Sequence, residues 1–514
     1  MREKILLAGV LLLIYAPVAT WGHFDFSDLQ GFYNMLADGF DKGNLYVAAR
    51  PDQIDIWDLI PYEGHYYLQW GPFPALLHLA VKWLGTELSD RAACVIAGLL
   101  TALLFFSIIL RLRRNYFRRL PKSVCTWFLF AFALASPLAF VSLRGTIYHE
   151  SIVVAGLGIM GAFFAYLRYL EGGALRWAFL CGLGTAAAMA TRISLGVYAL
   201  VLGVAVLAVQ YLRKHSLPKA SAHLLTYSGP ILLSAGLLLA YNQARFGSPW
   251  DFGIRYLLSS VTEGGINAFE IERVPENLRQ YLLAPIKYEP DYPWLIHDGW
   301  PPLETTNRAE DMSSLLIMSP FLLLGLLAWP LLRPAHQGGG HREGGQPLEL
   351  RLYFATAALS SMLMFGVMMS FAASSRRYSH DFVAPWMIVV FLGVALQSGK
   401  QVRWGRWLAA GWGVVLVSGL LHAHLCFTRP EPGDLNVVRT FVALSPYARK
   451  ILPGGPNWDR EEAIARNDLG TVYMKQRQFH AALEQFEKAA KLMPNEPRIE
   501  RNVRLARRLA SDGR

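Results

Sequence analysis

The stretch DRAACVIAGLLTALLFFSIIL, residues 90–110, decides the class of fold. After its first two residues it carries no charge, and it is rich in Leu, Ile, Ala and Phe. A helix needs about 20 mostly apolar residues to cross the hydrocarbon core of a bilayer. This stretch therefore predicts a transmembrane helix.

The same search outward from this stretch finds about eleven apolar runs of comparable length. The first run has the alternative of a cleaved signal peptide, because Arg2 and Lys4 precede it and Ala19 lies near its end. The pattern predicts an all-α polytopic membrane protein. The predicted spans are Lys4–Trp21, Asp90–Leu110, Val124–Val141, Ser151–Tyr169, Leu175–Ala190, Ser194–Leu212, Leu224–Tyr241, Ser314–Leu332, Leu352–Phe371, Phe382–Gln397 and Trp407–Phe427.

Composition supports the membrane class. Of 514 residues, 53% are hydrophobic and 17% are charged, whereas a soluble domain carries about 25% charged residues. These values argue against a soluble enzyme and against a disordered chain. The four cysteines show no CxxC spacing, which argues against a structural zinc site. The net charge of +11 is explained by basic loops, so no nucleic-acid partner is expected.

Basic residues give the chain an orientation, because Lys and Arg accumulate in cytoplasmic loops. The loop of residues 111–122 holds five arginines and a lysine, and alternate loops are also basic. We therefore predict a multi-pass plasma (inner) membrane protein with a cytoplasmic N terminus. Long outer loops at about 22–89 and 242–313 and the C-terminal tail are predicted to be extracytoplasmic, or periplasmic in a bacterium. Four arginines break the rule by lying at outer helix ends: Arg144, Arg192, Arg376 and Arg377.

The tail, residues 428–514, has a separate composition. Within 463–496 the spacing L-G-x2-Y followed by A, F, A and P matches one tetratricopeptide repeat (TPR), and a basic helix follows it as a cap. A single repeat is too short for a continuous core, since about three are normally needed. We therefore expect a small extracytoplasmic helical tail that packs on the membrane domain or binds a protein partner.

Two acidic residues follow the first predicted span, in His23-Phe-Asp25-Phe-Ser-Asp28-Leu-Gln-Gly-Phe-Tyr33. A carboxylate at the water-exposed end of a membrane helix is suited to act as a general base for a hydroxyl, or as a ligand for a divalent cation. A solvated loop residue is the alternative for either one. The choice between Asp25 and Asp28 stays open, with Asp28 preferred.

The order of these motifs resembles the GT-C superfamily of polytopic glycosyltransferases, which includes the protein O-mannosyltransferases and the aminoarabinose transferase of lipid A. The resemblance covers residues 1–427. It rests on Asp28 in the first outer loop, the segment Tyr66-Tyr67-Leu-Gln-Trp-Gly-Pro-Phe-Pro74, the segment Arg144-Gly-Thr-Ile-Tyr-His-Glu150, and Arg376-Arg377-Tyr378. The acidic pair usual in the family's first loop is absent, because Leu29 follows Asp28.

The resemblance implies transfer of a sugar from a polyprenyl-phosphate donor to an acceptor glycan, lipid or protein outside the membrane. An aspartate would accept the proton of the acceptor hydroxyl, and arginines would bind the leaving lipid phosphate. A divalent cation, Mg²⁺ or Mn²⁺, is possible, and its ligands are unassigned. The candidates are Asp28, Asp25, Glu150 and His149 for catalysis, and Arg144, Arg192, Arg255, Arg376, Arg377 and Tyr378 for the donor phosphate.

Three other functions stay open at the level of sequence. A polyprenyl-linked glycan ligase or polymerase would use a similar donor, but its large outer loop is expected late in the chain. A lipid or glycan transporter predicts carboxylates in mid-membrane or broken helices. A non-catalytic assembly protein would use the tail to recruit partners. The sequence does not identify the sugar, the acceptor or the oligomeric state.

Overall fold

The structure is a computed structural model that describes residues 2–28, 31–47, 59–257, 269–288, 295–300, 308–310, 312–332, 347–399, 402–428, 436, 439–440, 442–443, 457–475 and 478–511. Parts of both predicted outer loops and of the tail lie outside these residues.

Helices dominate the described chain. The helical membrane class predicted from the sequence is confirmed. The helices are α1 Arg2–Ala19, α2 Phe32–Asp41, α3 Phe73–Trp83, α4 Asp90–Tyr116, α5 Lys122–Ala135, α6 Pro137–Leu143, α7 Ile147–Gly172, α8 Leu175–Thr191, α9 Gly196–Leu212, α10 Leu217–Phe246, α11 Val274–Leu283, α12 Leu315–Met318, α13 Leu348–Met369, α14 Ser379–Ala395, α15 Trp404–Thr428, α16 Asn457–Lys475, α17 Phe479–Leu492 and α18 Pro497–Ser511.

Seven helices in the described residues are long and apolar enough to cross a membrane, or eight if the bent pair α5 and α6 is one span. That pair bends by 53°, where Pro137 begins α6. The remaining three predicted spans are helical but are not among these seven or eight. Helix α1 begins with three charged residues, α8 has only 17 residues, and Pro320–Leu332 is a 3₁₀ helix. The count of eleven spans therefore stays a prediction.

Helix α7 lies at the centre of the bundle and packs on α4 and α8. Gly158 of α7 and Gly184 of α8 allow the two backbones to approach closely. A Cβ atom on Gly158 would lie 2.7 Å from the Gly184 carbonyl oxygen, which is too close for any side chain. In contrast, only 17% of the apolar window of α10 is buried, so α10 faces outward toward the lipid.

The two ends of the bundle differ in chemistry. At one end, basic residues of the predicted cytoplasmic loops contact groups on neighbouring helices. Arg111 pairs with Glu171, Lys122 pairs with Glu3, and Arg213 Nη2 donates to the Leu170 carbonyl at 2.6 Å. The opposite end holds the first turns of α4, α7 and α14 and the last turns of α8, α10 and α13. This second end is called the site end below.

A small layer of short elements covers the site end. Strands β1 Leu59–Tyr62 and β2 His65–Leu68 form an antiparallel hairpin through Glu63 and Gly64. Both turn residues have positive φ, as a two-residue hairpin turn requires. The hairpin packs on α2, α3 and the start of α7 through an apolar cluster that includes Phe32, Leu68 and Ile147.

Two further strand pairs are short. Strands β3 Lys287–Tyr288 and β4 Leu295–Ile296 are antiparallel, and β5 Arg308–Glu310 and β6 Ala373–Ser375 are parallel. The parallel pair joins the second outer loop to the segment that leads into α14.

In the tail, α16 packs against α17 and α17 against α18. Gly470 of α16 touches the ring of Phe486, where a Cβ atom would lie 2.5 Å from the ring. Ala482, Phe486 and Ala489 are buried. This is close helix packing of the kind that the spacing predicts, although the tetratricopeptide assignment, the domain boundary and a tail partner stay predictions.

Candidate active site

Asp28 is an exposed carboxylate with two firmly placed hydrogen bonds. Its Oδ1 accepts the backbone N–H of Asp90 at 2.7 Å, at the first residue of α4, and its Oδ2 accepts Asn34 Nδ2 at 2.6 Å. Asp90 returns a bond to the loop, because its Oδ2 accepts the N–H of Gly31 at 2.9 Å. These reciprocal bonds fix the Asp28 loop on the N terminus of α4, where the helix dipole favours negative charge.

The hydrogen bonds of Asp28 continue inward through a buried chain. His78 Nδ1 lies 2.7 Å from Asn34 Oδ1, and His78 Nε2 lies 2.8 Å from Glu150 Oε1. His78 and Glu150 are 1% exposed. Among the described residues, no hydrogen-bond partner is found for the second Glu150 oxygen. We call Asp28, Asn34, His78, Asp90 and Glu150 the acid network.

The backbone conformation of the Asp28 loop requires a glycine at position 31. Its φ of +65° is a conformation that side chains rarely adopt, and a Cβ atom would lie 3.2 Å from Asp28 Oδ2. The glycine therefore lets the loop turn tightly enough for both Asp28 bonds to form.

Asp25 lies apart from the acid network. Its Oδ1 accepts the backbone N–H of Ser27 at 3.0 Å, and its Oδ2 lies 3.4 Å from Arg439 Nη1. These two contacts lower the pKa of Asp25, with the Ser27 bond as the larger cause. Its backbone carbonyl also accepts Asn436 Nδ2 at 2.8 Å, so Asp25 binds a segment that follows the last membrane helix.

Burial also shifts the pKa of two groups around the network that lie outside the predicted spans. It lowers the pKa of His78, and the negative charges of Asp90 and Asp28 oppose that effect. It raises the pKa of Tyr33, whose ring lies 6.1 Å from that of His78. Burial therefore disfavours the charged form of His78 and keeps Tyr33 in its neutral form near neutral pH.

On the other side of the first turn of α7 lies a cavity of about 310 Å³. Its described lining includes three arginines and no carboxylate. We call it the arginine cavity. Its polar and aromatic lining includes Trp70, Tyr148, Arg192, Asn242, Arg245, Arg377 and Tyr378.

Each of the three arginines is fixed by neighbouring groups. Arg192, at the end of α8, forms an ion pair with Asp381 of α14, and its guanidinium lies 5.4 Å from the ring of Tyr378. Arg377 lies 4.7 Å from the ring of Tyr148 and 5.1 Å from that of Tyr378.

The third arginine, Arg245, lies in the last turn of α10. It donates to the Leu68 carbonyl at 3.0 Å and to Asn242 Oδ1 at 2.7 Å, and its guanidinium lies 3.9 Å from the ring of Tyr241. The cavity lining therefore brings three guanidinium groups to one space.

An apolar groove of about 900 Å³ lies next to the arginine cavity. It runs between α3, α8 and α10 and shares Pro72, Leu238 and Tyr241 with the cavity lining. Its walls are almost entirely hydrocarbon, including Leu76, Leu183, Ala187, Gly229, Leu233 and Leu237. The two spaces together form an amphipathic site, with cations at one end and hydrocarbon at the other.

The remaining sequence candidates are placed elsewhere. Arg376 does not line the cavity: it is buried and donates to the Ser313 carbonyl at 3.1 Å and to His422 Nε2 at 2.8 Å. Arg255 is 68% exposed and pairs with Asp251. Arg144 lies against the ring of Phe140, and His149 Nδ1 lies 2.7 Å from Thr146 Oγ1.

Four functional candidates were missed by sequence reasoning: Asn34, His78, Asp90 and Arg245. Asn34 and His78 lie in short amphipathic helices, where a lone polar residue carries no spacing signal. Asp90 is an acidic residue in the first turn of a helix and Arg245 a basic residue in a last turn, both of which are common because they match the helix dipole. Only their contacts separate them from ordinary helix-end residues.

The described residues contain no group of three or more His, Cys, Asp or Glu side chains suited to holding a metal ion. All four cysteines are buried and free.

Comparison with known proteins gave no matching family model and no matching curated protein. Among solved structures, the chain is similar to ArnT from Cupriavidus metallidurans bound to undecaprenyl phosphate, with 14% identity, a TM-score of 0.43, and coverage of 98% of this chain and 76% of that one. It is also similar to the oligosaccharyltransferase AglB from Archaeoglobus fulgidus in complex with an inhibitory peptide and a dolichol-phosphate, with 13% identity, a TM-score of 0.40, and coverage of 90% and 59%.

The apo form of the Archaeoglobus fulgidus oligosaccharyltransferase gives 12% identity and a TM-score of 0.46 over the same shares of the two chains.

Proposed function

We propose that the chain is a membrane glycosyltransferase that moves a sugar from a polyprenyl-phosphate donor to an acceptor glycan, lipid or protein on the extracytoplasmic side. The observation that carries the proposal is that the apolar groove adjoins the arginine cavity and shares lining residues with it. A lipid phosphate has the same division, with an anionic head and a hydrocarbon chain.

The arginines are suited to the phosphate. Guanidinium groups match phosphate oxygens with paired donors and keep their charge at any working pH. Arg377 and Arg245 both bring guanidinium groups to the cavity lining, and stacking on tyrosine rings holds Arg377 in place. The polyprenyl chain would lie in the groove between α3, α8 and α10.

Asp28 is suited to act as the general base. The acceptor hydroxyl attacks the anomeric carbon, the bond from that carbon to the phosphate oxygen breaks, and Asp28 accepts the hydroxyl proton. The lipid phosphate leaves with the bonding electron pair and is stabilised by the arginines. A single displacement of this kind inverts the anomeric centre.

The orientation belongs to the same proposal. The site end is opposite the end where the basic residues of the predicted cytoplasmic loops meet, so we place the site outside the membrane and the N terminus in the cytoplasm. Asp28 is preferred to Asp25 because Asp25 contacts the tail segment.

The test is sugar transfer by the purified protein in detergent, with a panel of radiolabelled polyprenyl-phosphate sugars. We expect turnover with at least one donor and a loss of about 10²- to 10⁴-fold in Asp28→Asn, which is the usual contribution of a general base. Asp25→Asn is the matched control and should retain activity. Lipid binding without turnover for every donor would instead favour a lipid transporter or an assembly protein.

A further inference from the structure

The hydrogen-bond geometry of the acid network shows which nitrogen of His78 carries a hydrogen toward Asn34. Asn34 Nδ2 lies 2.6 Å from Asp28 Oδ2 and 2.9 Å from the Leu88 carbonyl oxygen. Both partners are acceptors, so the amide nitrogen faces them and the amide oxygen faces His78. Because an amide oxygen only accepts, His78 Nδ1 carries a hydrogen.

The contact of the other His78 nitrogen then decides how many protons His78 and Glu150 hold together. Nε2 lies 2.8 Å from Glu150 Oε1, and both groups are buried. Without a proton between these atoms, two lone pairs would face each other out of contact with water, which is unfavourable. The pair therefore holds one shared proton, on either the carboxyl or the imidazole, and it is neutral overall in both cases.

We infer that His78 and Glu150 are positioning residues that orient the Asp28 carboxylate through Asn34. This inference rests on the proposed role of Asp28 as the general base. The shared proton keeps His78 with its Nδ1 hydrogen toward Asn34, and this fixes the Asn34 amide with its nitrogen toward Asp28. The second Asp28 oxygen is fixed independently by the N–H of Asp90.

The inference gives Glu150 a role different from the one its sequence position suggests. Glu150 reaches Asp28 through His78 and Asn34, so it need not touch the acceptor. A glutamine at this position supplies an N–H to His78 Nε2 and preserves the polarity of the chain. Alanine at position 150, or phenylalanine at position 78, breaks the chain without adding charge.

The experiment measures kcat and the KM for the donor in Glu150→Gln, Glu150→Ala, His78→Phe and Asn34→Ala. We expect kcat to fall about 10- to 100-fold in the last three, because a small displacement of a catalytic group can cost about 10²-fold, with KM unchanged. Glu150→Gln should restore kcat close to that of the original chain. Asp38→Asn is the matched control, since Asp38 is an exposed carboxylate of α2 that pairs with Lys82.

Three outcomes would overturn the inference: Glu150→Gln as impaired as Glu150→Ala, an unchanged kcat in His78→Phe and Asn34→Ala, or a raised KM with an unchanged kcat. If His78→Phe does not fold, Asn34→Ala decides, because Asn34 is only partly buried. Full activity in Asp28→Asn would instead refute the base itself, so the two failures are distinguishable.

Discussion

On one side of the first turn of α7, the acid network is held by hydrogen bonds between its own members and the backbone of α4. On the other side, the cations of the arginine cavity are held by aromatic rings and by partners away from the cavity centre. The first arrangement fixes the direction of one carboxylate. The second fixes positive charge while leaving space between the side chains, which suits a ligand that must enter and leave.

Among effects on binding and stability, the largest is expected for the arginine cavity. Arg377→Ala should weaken binding of a labelled polyprenyl phosphate about 10- to 100-fold, because a charge-assisted hydrogen bond contributes about 1.5–3 kcal/mol. Arg377→Lys should give an intermediate loss, since it keeps the charge and loses the paired donors. The measurement is equilibrium binding in detergent. Arg255→Ala, at an exposed arginine paired with Asp251, should bind normally, and the reverse result would move the phosphate site out of the cavity.

A smaller effect separates the apolar groove from the cavity. Ala187→Phe adds a ring to the groove wall and should weaken binding of a long-chain polyprenyl phosphate about tenfold, because each buried CH₂ contributes about 0.8 kcal/mol. Binding of a short-chain analogue should change little. The matched control is Val204→Phe on the exposed face of α9. Equal losses for both chain lengths would show that the groove does not hold the chain.

The smallest effect is on stability and concerns the acid network. In Glu150→Gln, where His78 no longer shares a proton with position 150, burial lowers the pKa of His78, so the unfolded chain takes up a proton there at a higher pH than the folded chain does. The contribution of His78 is therefore complete above its usual pKa of 6.5 and is lost as the pH falls below that value. The groups that face it are Asp28, Tyr33, Asp90 and Glu150.

We expect about 1 kcal/mol of this destabilisation in Glu150→Gln between pH 7.5 and pH 5.5, since one pKa unit corresponds to about 1.4 kcal/mol. Thermal unfolding in detergent at the two pH values measures it. Adding His78→Gln to this variant should reduce the difference in stability between the two pH values, and an unchanged difference would assign the pH dependence to other groups.

The sequence predicts the parts of this site that follow from hydropathy and sidedness. Apolar runs and basic loops place Asp28, Arg192 and Arg377 at one end of a helical bundle, and the structure brings those helix ends together. The sequence does not tell which of Arg376 and Arg377 lines the cavity. Both lie in a short 3₁₀ helix, Arg376–Tyr378, where the side chains of neighbouring residues point about 120° apart. Only the surrounding helices decide which of the two faces the cavity.

The same limit applies to ionic partners. From the sequence, Arg144 is the nearest cation for Glu150, yet the structure pairs Glu150 with His78, 72 residues away. Asp381 contacts Arg192 of another helix, although Arg377 is closer in sequence. Long-range pairing of single polar residues leaves no periodic pattern to read.

The bond between Asn436 and the Asp25 carbonyl bears on how the protein is made. It joins residues separated by 411 positions, and Thr440 adds a second bond to the Trp21 carbonyl at 3.2 Å. The loop that carries Asp28 is thus synthesised early, but the residues that form these hydrogen bonds with it are synthesised only after the last membrane helix. A chain still on the ribosome, or truncated after Thr428, lacks these hydrogen bonds next to the proposed catalytic aspartate, so maturation of the loop follows synthesis of the segment that holds Asn436 and Thr440.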